Sequence, residues 1–266
     1  MRSLLLSCLL LCACAPKHSE GPSGVSPEAL AREAKANEAL AKAHRALLAA
    51  PDRSEADRAL DAGRKPAELL DFARVRPGQR VAELFSGGGY TAELLARAVG
   101  PEGRVYAQNS RWVLERFAAK PWAERLQKPV MANVVRVDRE LDDPLPPEAK
   151  DLDAVFSYAI YHDSVWLGAD RAKMNAAVFR ALRPGGIYVV VDSSARPGTG
   201  VQDVQTLHRI DEDTVRQEVQ AAGFRLDDEA PFLRNPQDTR QWSASPGAAG
   251  EKRGTSDRFV LKFVKP

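Results

Sequence analysis

The sequence predicts an α/β chain built on a mostly parallel sheet, with a helical extension ahead of it. From Arg80 onward, near-continuous apolar runs alternate with helix-period segments, the pattern of strands covered on both faces. The first of those runs ends in three consecutive glycines, Gly87 to Gly89, that open directly into a helix. The closing run, Asp257–Val264, alternates cleanly and reads as one more strand.

The elements follow in order. Ser26-Pro27-Glu28 starts a helix with a capping hydroxyl, a proline in the first turn and an acid at the positive dipole end. This Ala-rich helix runs to about Ala50, stops at Pro51 and carries a thin stripe of Leu30, Leu40, Leu47 and Leu48. Ser54-x-x-Asp57 resembles a capping box for a second helix ended by Gly63, and Pro66 starts a short third. Strands are expected at Arg80–Phe85, Arg104–Asn109, Asn133–Val137, Leu152–Tyr158, Ile187–Asp192 and Phe224–Glu229, besides the last. Helices are expected at Tyr90–Val99, near Ser110–Ala118, at about Ala169–Leu182, and from the Asp211 cap to Ala222. Arg183-Pro184-Gly185-Gly186 is a turn, and 235–254 is a long polar loop.

Charge nearly balances over the 266 residues, with 38 basic and 36 acidic side chains, and no basic run is interleaved with aromatics. Nucleic acid is therefore not an expected partner. All three cysteines, Cys8, Cys12 and Cys14, fall within the first fourteen residues. Arg2 followed by the apolar run Leu4–Ala13 has the form of an export signal, too short to span a bilayer as a helix. Leu11-Cys12-Ala13-Cys14 resembles a bacterial lipobox with Cys14 as the modified residue. The expected organisation is thus a signal peptide over 1–13, a tether over 14–25 reaching roughly 20 Å, N-terminal helices over 26–64 and the α/β domain over 65–266. A lipid-anchored monomer of the bacterial cell envelope is expected, with no cysteine left after Cys14.

The glycines belong to a ligand turn. In an open parallel sheet, ligands bind beyond the carboxyl ends of the strands, where the first strand delivers its chain. Gly87-x-Gly89-x-x-Ala92 also satisfies the dinucleotide pattern, so the glycines alone do not choose a ligand. Glu83, four residues earlier, suits a cationic amino group and would repel a pyrophosphate. At the end of the second strand, Asn109 offers an amide to a ribose, while Arg111 nearby would suit the 2′-phosphate of NADP. No Tyr-x-x-x-Lys pair for hydride transfer occurs.

Together, "VAELFSGGGYTAELLA", "GPEGRVYAQNS", "LDAVFSYAIYH" and "ALRPGGIYVVVD" resemble the ordered motifs of class I S-adenosylmethionine-dependent methyltransferases over roughly 65–266. More narrowly, "PDRSEADRALDAGRKPAELLDF", "NPQDTR" and "SDRFVLKFVKP" resemble a group of predicted bacterial methyltransferases that often carry export signals. The resemblance implies a Rossmann-like sheet with an antiparallel last strand, S-adenosylmethionine as cofactor and an unidentified methyl acceptor. It implies that Glu83, Gly87 and Gly89 line the methionine part and Asn109 faces the ribose. By the same resemblance, Asp138 would accept from the adenine amino group, and Ser157 and Tyr158 would flank the methyl group. Asn109 departs from the Asp or Glu of the family pattern. That leaves open a non-catalytic binding lipoprotein on the same frame and, further off, an NADP-binding oxidoreductase.

For chemistry on the acceptor, His162 lies just past the fourth strand and is the candidate base, with Tyr158 beside it. His208 and Arg209 are candidates for a lid or for binding an anionic acceptor. Asp138 and Asp192 could equally cap strand ends. No Cys/His cluster or paired-acid spacing marks a metal site.

Overall fold

Helix α1 (Pro27–Leu48) opens the part of the chain that the computed structural model describes, residues 26–266. Cys14, the signal and the tether lie outside the described residues. Contacts divide the chain into two units, 1–36 and 37–266. In the first, Ser26 Oγ accepts from the Ala29 N–H at 3.2 Å, as its place before the proline predicts.

In the second unit, buried His44 bonds Asp71 and the Val75 carbonyl. Helix α2 (Glu55–Arg64) is capped by Ser54, whose Oγ accepts from the Asp57 N–H at 3.1 Å, and α3 (Pro66–Phe72) follows after Lys65. The sheet then begins: β1 (Arg80–Leu84), α4 (Tyr90–Val99), β2 (Arg104–Asn109), α5 (Arg111–Val113), α6 (Ala119–Leu126), β3 (Val134–Asp138), β4 (Leu152–Tyr158), α7 (Tyr161–Trp166), α8 (Arg171–Ala181), β5 (Leu182–Ser193), α9 (Val204–Leu207), α10 (Glu212–Ala221), β6 (Arg225–Glu229) and β7 (Arg258–Val264).

The seven strands are ordered β3-β2-β1-β4-β5-β7-β6. Strands β1 to β5 pair in parallel, and β7 lies antiparallel between β5 and β6. One apolar layer covers each face: Leu84, Tyr106, Val155, Tyr161 and Phe259 on one side, Leu70, Val81, Leu95, Phe156 and Val260 on the other. This is the Rossmann-like arrangement the apolar runs predict, and no helix among the described residues is long and apolar enough to cross a membrane.

Several elements differ from expectation, among them the one-turn helix α9, which was not expected. The helix expected over Ser110–Ala118 continues to Leu126 through a π-helical turn at Leu114–Ala118. Pro121 has no N–H for the helical ladder, and the wider turn just before it lets the chain carry on. β5 starts at Leu182 rather than Ile187, because Leu182 pairs Leu152 before the register shifts across the Arg183–Gly186 turn. Helix α7 was not expected at all; its first turn is held from a distance, by the Asp192 carboxylate accepting from the His162 N–H at 2.9 Å.

Candidate functional site

The chain leaves β1 for β2 and β3 on one side, then returns to β4 on the other, so the sheet's switch point lies between β1 and β4. A crevice opens at the carboxyl ends of such a pair. Both exits are backbone-strained. Phe85 (φ 59°) follows β1 and Ala159 (φ 57°) follows β4, each a non-glycine residue in the left-handed region. Long-range partners hold both: the Phe85 N–H donates to Gln108 Oε1 (2.8 Å) and the Ala159 N–H to the Val191 carbonyl (2.7 Å).

Two glycines of the turn serve different ends. Gly87 (φ 55°) would present a Cβ to nearly open space, with only Phe117 at 4.0 Å. Gly89 (φ 83°) would drive a Cβ into Trp122, 2.7 Å from Cε3, and to 2.8 Å from Arg125 Cδ. Gly89 is therefore already required by the protein's own packing. Asn109 is fully buried, and its amide faces the turn: Oδ1 accepts from the Gly87 N–H (2.8 Å) and Nδ2 donates to the Gly87 carbonyl (3.1 Å). The residue expected to face a ribose bolts the glycine turn to β2 instead.

Glu83 sits beneath that turn, buried. Burial pushes its carboxyl above the usual range, against the opposing pull of the Ser86 and Thr91 hydroxyls and the charge of Arg64. Its Oε2 has no hydrogen-bond partner among the described residues. A narrow cleft lined by Arg64, Tyr90, Thr91 and Tyr158 lies alongside, with the Arg64 guanidinium 4.6 Å from the Tyr90 ring centroid and 5.4 Å from that of Tyr158. The Tyr158 hydroxyl is occupied: it accepts from Arg258 Nη1 at 2.8 Å. Ser157, in register with Leu84, is fully buried. Asp138 ends β3 half-exposed and ion-paired with Arg136 at 2.7 Å. Arg111 points outward to Glu115 at 2.6 Å.

His162 caps the other side of the crevice. Its Nδ1 lies 2.7 Å from Asp192 Oδ1, and its Nε2 lies 3.0 Å from Asp163 Oδ1 and 3.2 Å from His208 Nδ1. Burial works against the imidazolium, but Asp192 and Asp163 outweigh it and push the imidazole up to about 10. With a carboxylate at each nitrogen, the ring is a cation at neutral pH. To act as the base the sequence suggests, it would first have to give up that proton. The orienting acid, Asp192, stands thirty residues away, and His208 forty-six, so spacing gave no sign of either. Arg209 does not face an acceptor: it is buried against Asp238 at 2.9 Å and the Ser194 carbonyl at 3.0 Å.

No family model matches the chain. Over 126 residues, 47% of its length, it is 29% identical to the protein-L-isoaspartate O-methyltransferase of Ignicoccus hospitalis, and it spans 52% of that relative. The chain thus covers about half the length of this curated relative. A SAM-dependent methyltransferase of Aquifex aeolicus superposes with a TM-score of 0.55 at 17% identity, covering 76% of this chain and 89% of that one. The [4+2]-cyclase SpnF superposes with a TM-score of 0.54 at 18% identity, covering 77% and 81%. The fold is that of class I S-adenosylmethionine-dependent methyltransferases. A methyltransferase and a cyclase share this frame, so the fold leaves the chemistry to the site.

Proposed function

We propose that the chain binds S-adenosylmethionine at the β1/β4 switch point and catalyses methyl transfer to an acceptor docked beside α7. The observation that carries this reading is Glu83, a buried carboxylate with a free oxygen beneath a glycine turn. A buried acid of this kind is costly unless a cation meets it, and the ammonium of a methionine-type ligand is such a cation. Gly87, bare of a side chain and fixed by Asn109, lets the main chain come close to the ligand. Arg64 suits the ligand's carboxylate and half-exposed Asp138 the adenine amino group, with Ser157 and Tyr158 lining the wall between. Bound there, S-adenosylmethionine supplies a methyl group on a sulfonium. The chain's part is alignment of the acceptor for in-line transfer.

A second reading, a non-catalytic binding protein, is favoured by one observation: Asn109 spends its amide on Gly87, so β2 ends without a free carboxylate for a ribose diol. Calorimetric titration with S-adenosylmethionine, S-adenosylhomocysteine and NADPH separates the possibilities. Both S-adenosyl ligands are expected to bind and NADPH is not. Glu83→Gln is expected to weaken binding by about 1.5–3 kcal/mol, the loss of a charge-assisted contact. Binding with no methyl transfer to any acceptor tried selects the second reading; no S-adenosyl binding ends the first.

Lipid anchoring at Cys14 is part of the same proposal, supported by the short apolar run and the Leu11–Cys14 lipobox pattern. The wild type is expected to fractionate with membranes and Cys14→Ser to be released. A variant that still pellets, with no lipid mass on the wild type, removes the anchor.

A further inference from the structure

We propose that His162 Nε2, His208 Nδ1 and Asp163 Oδ1 form a binding site for one divalent transition-metal cation of the zinc or cobalt class, at the carboxyl ends of β4 and β5. The site goes beyond the cofactor reading and stands whether or not that reading holds.

Three donor atoms from two separate segments converge here. His162 and Asp163 come from the first turn of α7, and His208 follows α9 in a left-handed conformation (φ 49°) that turns its ring toward them. The three edges of the triangle measure 3.0 Å (Nε2 to Oδ1), 3.2 Å (Nε2 to Nδ1) and 3.6 Å (Nδ1 to Oδ1). With metal–ligand bonds of about 2.0–2.2 Å, the edges of a tetrahedron are about 3.3–3.6 Å and those of an octahedron about 2.8–3.1 Å. The three edges span these two ranges, so the triangle fits one face of a distorted polyhedron after shifts of a few tenths of an ångström. Two imidazoles and one carboxylate are a donor set for zinc, cobalt, nickel or iron rather than for calcium or magnesium.

The surroundings orient the donors as a metal requires. Asp192, fully buried, holds His162 Nδ1 at 2.7 Å and is itself fixed by the N–H groups of His162 and Ser193. With Nδ1 committed to Asp192, Nε2 is the ring nitrogen left to face the triangle, the carboxylate–histidine–metal arrangement. The Trp166 indole N–H donates to Asp163 Oδ1 at 2.7 Å and steadies the ligating carboxylate in the same way. His208 is 29% and Asp163 18% exposed, so the cluster opens toward solvent and leaves coordination positions for water or an oxygen of a small molecule.

The test uses full-length protein stripped with a chelator and titrated with Co²⁺, then with Zn²⁺ in competition. The wild type is expected to take up one Co²⁺ per chain, with a visible d–d band and quenched tryptophan fluorescence, and to release it to Zn²⁺. Quenching is expected to shrink in Trp166→Phe. His208→Ala and Asp163→Asn are each expected to lower affinity at least 100-fold, and Asp192→Asn, acting through His162, 10–100-fold. Glu115→Gln, an exposed acid outside both proposed sites, is expected to leave metal binding unchanged. Circular dichroism checks each variant's fold, and Asp163→Asn carries the comparison if His208→Ala does not fold. Absence of one-per-chain binding by either metal in the wild type, or binding that survives Asp163→Asn, overturns the site.

Discussion

Glu83 makes stability depend on its own protonation. Its carboxyl ionises near 4.5 in the unfolded chain and above that in the folded one, because burial disfavours the charge. Between those two values the folded state holds the extra proton, so stability falls as pH rises through that window, and the penalty persists above it. Glu83→Gln removes the slope. Without ligand, the variant is expected to match the wild type at pH 4 and to exceed it by about 1–3 kcal/mol at pH 7–8, the cost of an unsatisfied buried group. Urea melts across that range test it, and parallel curves would mean Glu83 is compensated in solution. The glycines give a second contrast. Gly87→Ala meets open space and is expected to cost about 1 kcal/mol for its left-handed backbone alone. Gly89→Ala adds an overpacked contact with Trp122 and is expected to cost about 3 kcal/mol or more. Equal melting shifts in the two variants would refute the division of labour between them.

At the scale of elements, the β1 turn and β2 act as one piece through Asn109. A carboxylate there would still accept from the Gly87 N–H but would set an acceptor against the Gly87 carbonyl. Asn109→Asp is expected to lower stability by about 1–3 kcal/mol and to weaken S-adenosyl binding with it. A variant of unchanged stability and tighter binding would return Asn109 to the ribose. The strands were legible because buried parallel strands need near-continuous apolar runs, and Ala154–Phe156 or Val189–Val191 have nothing else to be. The glycine turn was legible because Gly87 and Gly89 both take a positive φ. Helix α7 was not, because its six residues owe their first turn to Asp192, a partner in another strand. The same holds for the site. Residue types near His162 in sequence were visible, but the approach of His208 and Asp192 depends on where the sheet delivers them. Phe85 hid its left-handed conformation behind a side chain that normally argues against one, and Gln108, on the neighbouring strand, is what holds it there.

For the molecule as a whole, the question is where the folding unit begins. The sequence suggests a domain starting at 65, whereas contacts gather residues 37–266 into one unit. The reason lies in charges that α2 and the segment before it bring to the sheet's helices. Arg125, on α6, pairs with Asp57 at 2.7 Å and Glu93 at 2.5 Å, while also donating to the Gly88 carbonyl at 2.5 Å. Asp61 takes both Arg53 (2.7 Å) and the Tyr90 hydroxyl (2.6 Å). His44 closes on Asp71. Asp57 and Arg53 are buried, so their ion pairs are not the exposed kind that contribute little, and His44 is buried on its own hydrogen bonds. Breaking a buried pair by removing one partner costs about 3–5 kcal/mol. Domains of this kind have about 5–15 kcal/mol in all. A chain begun at Lys65 strips Asp57 from Arg125, Asp61 from Tyr90 and His44 from Asp71 together, which is enough to consume that margin. It is expected to be unfolded or aggregated at 25 °C, whereas a chain begun at Asn37 keeps every one of these partners and is expected to melt in a single cooperative transition. Arg125 also touches the glycine turn, so the short chain that did fold would still be expected to lose S-adenosyl binding. A chain begun at Lys65 that melts at the same temperature as one begun at Asn37 would show that these buried pairs contribute nothing net, and that the helices before Lys65 are an appendage to the sheet.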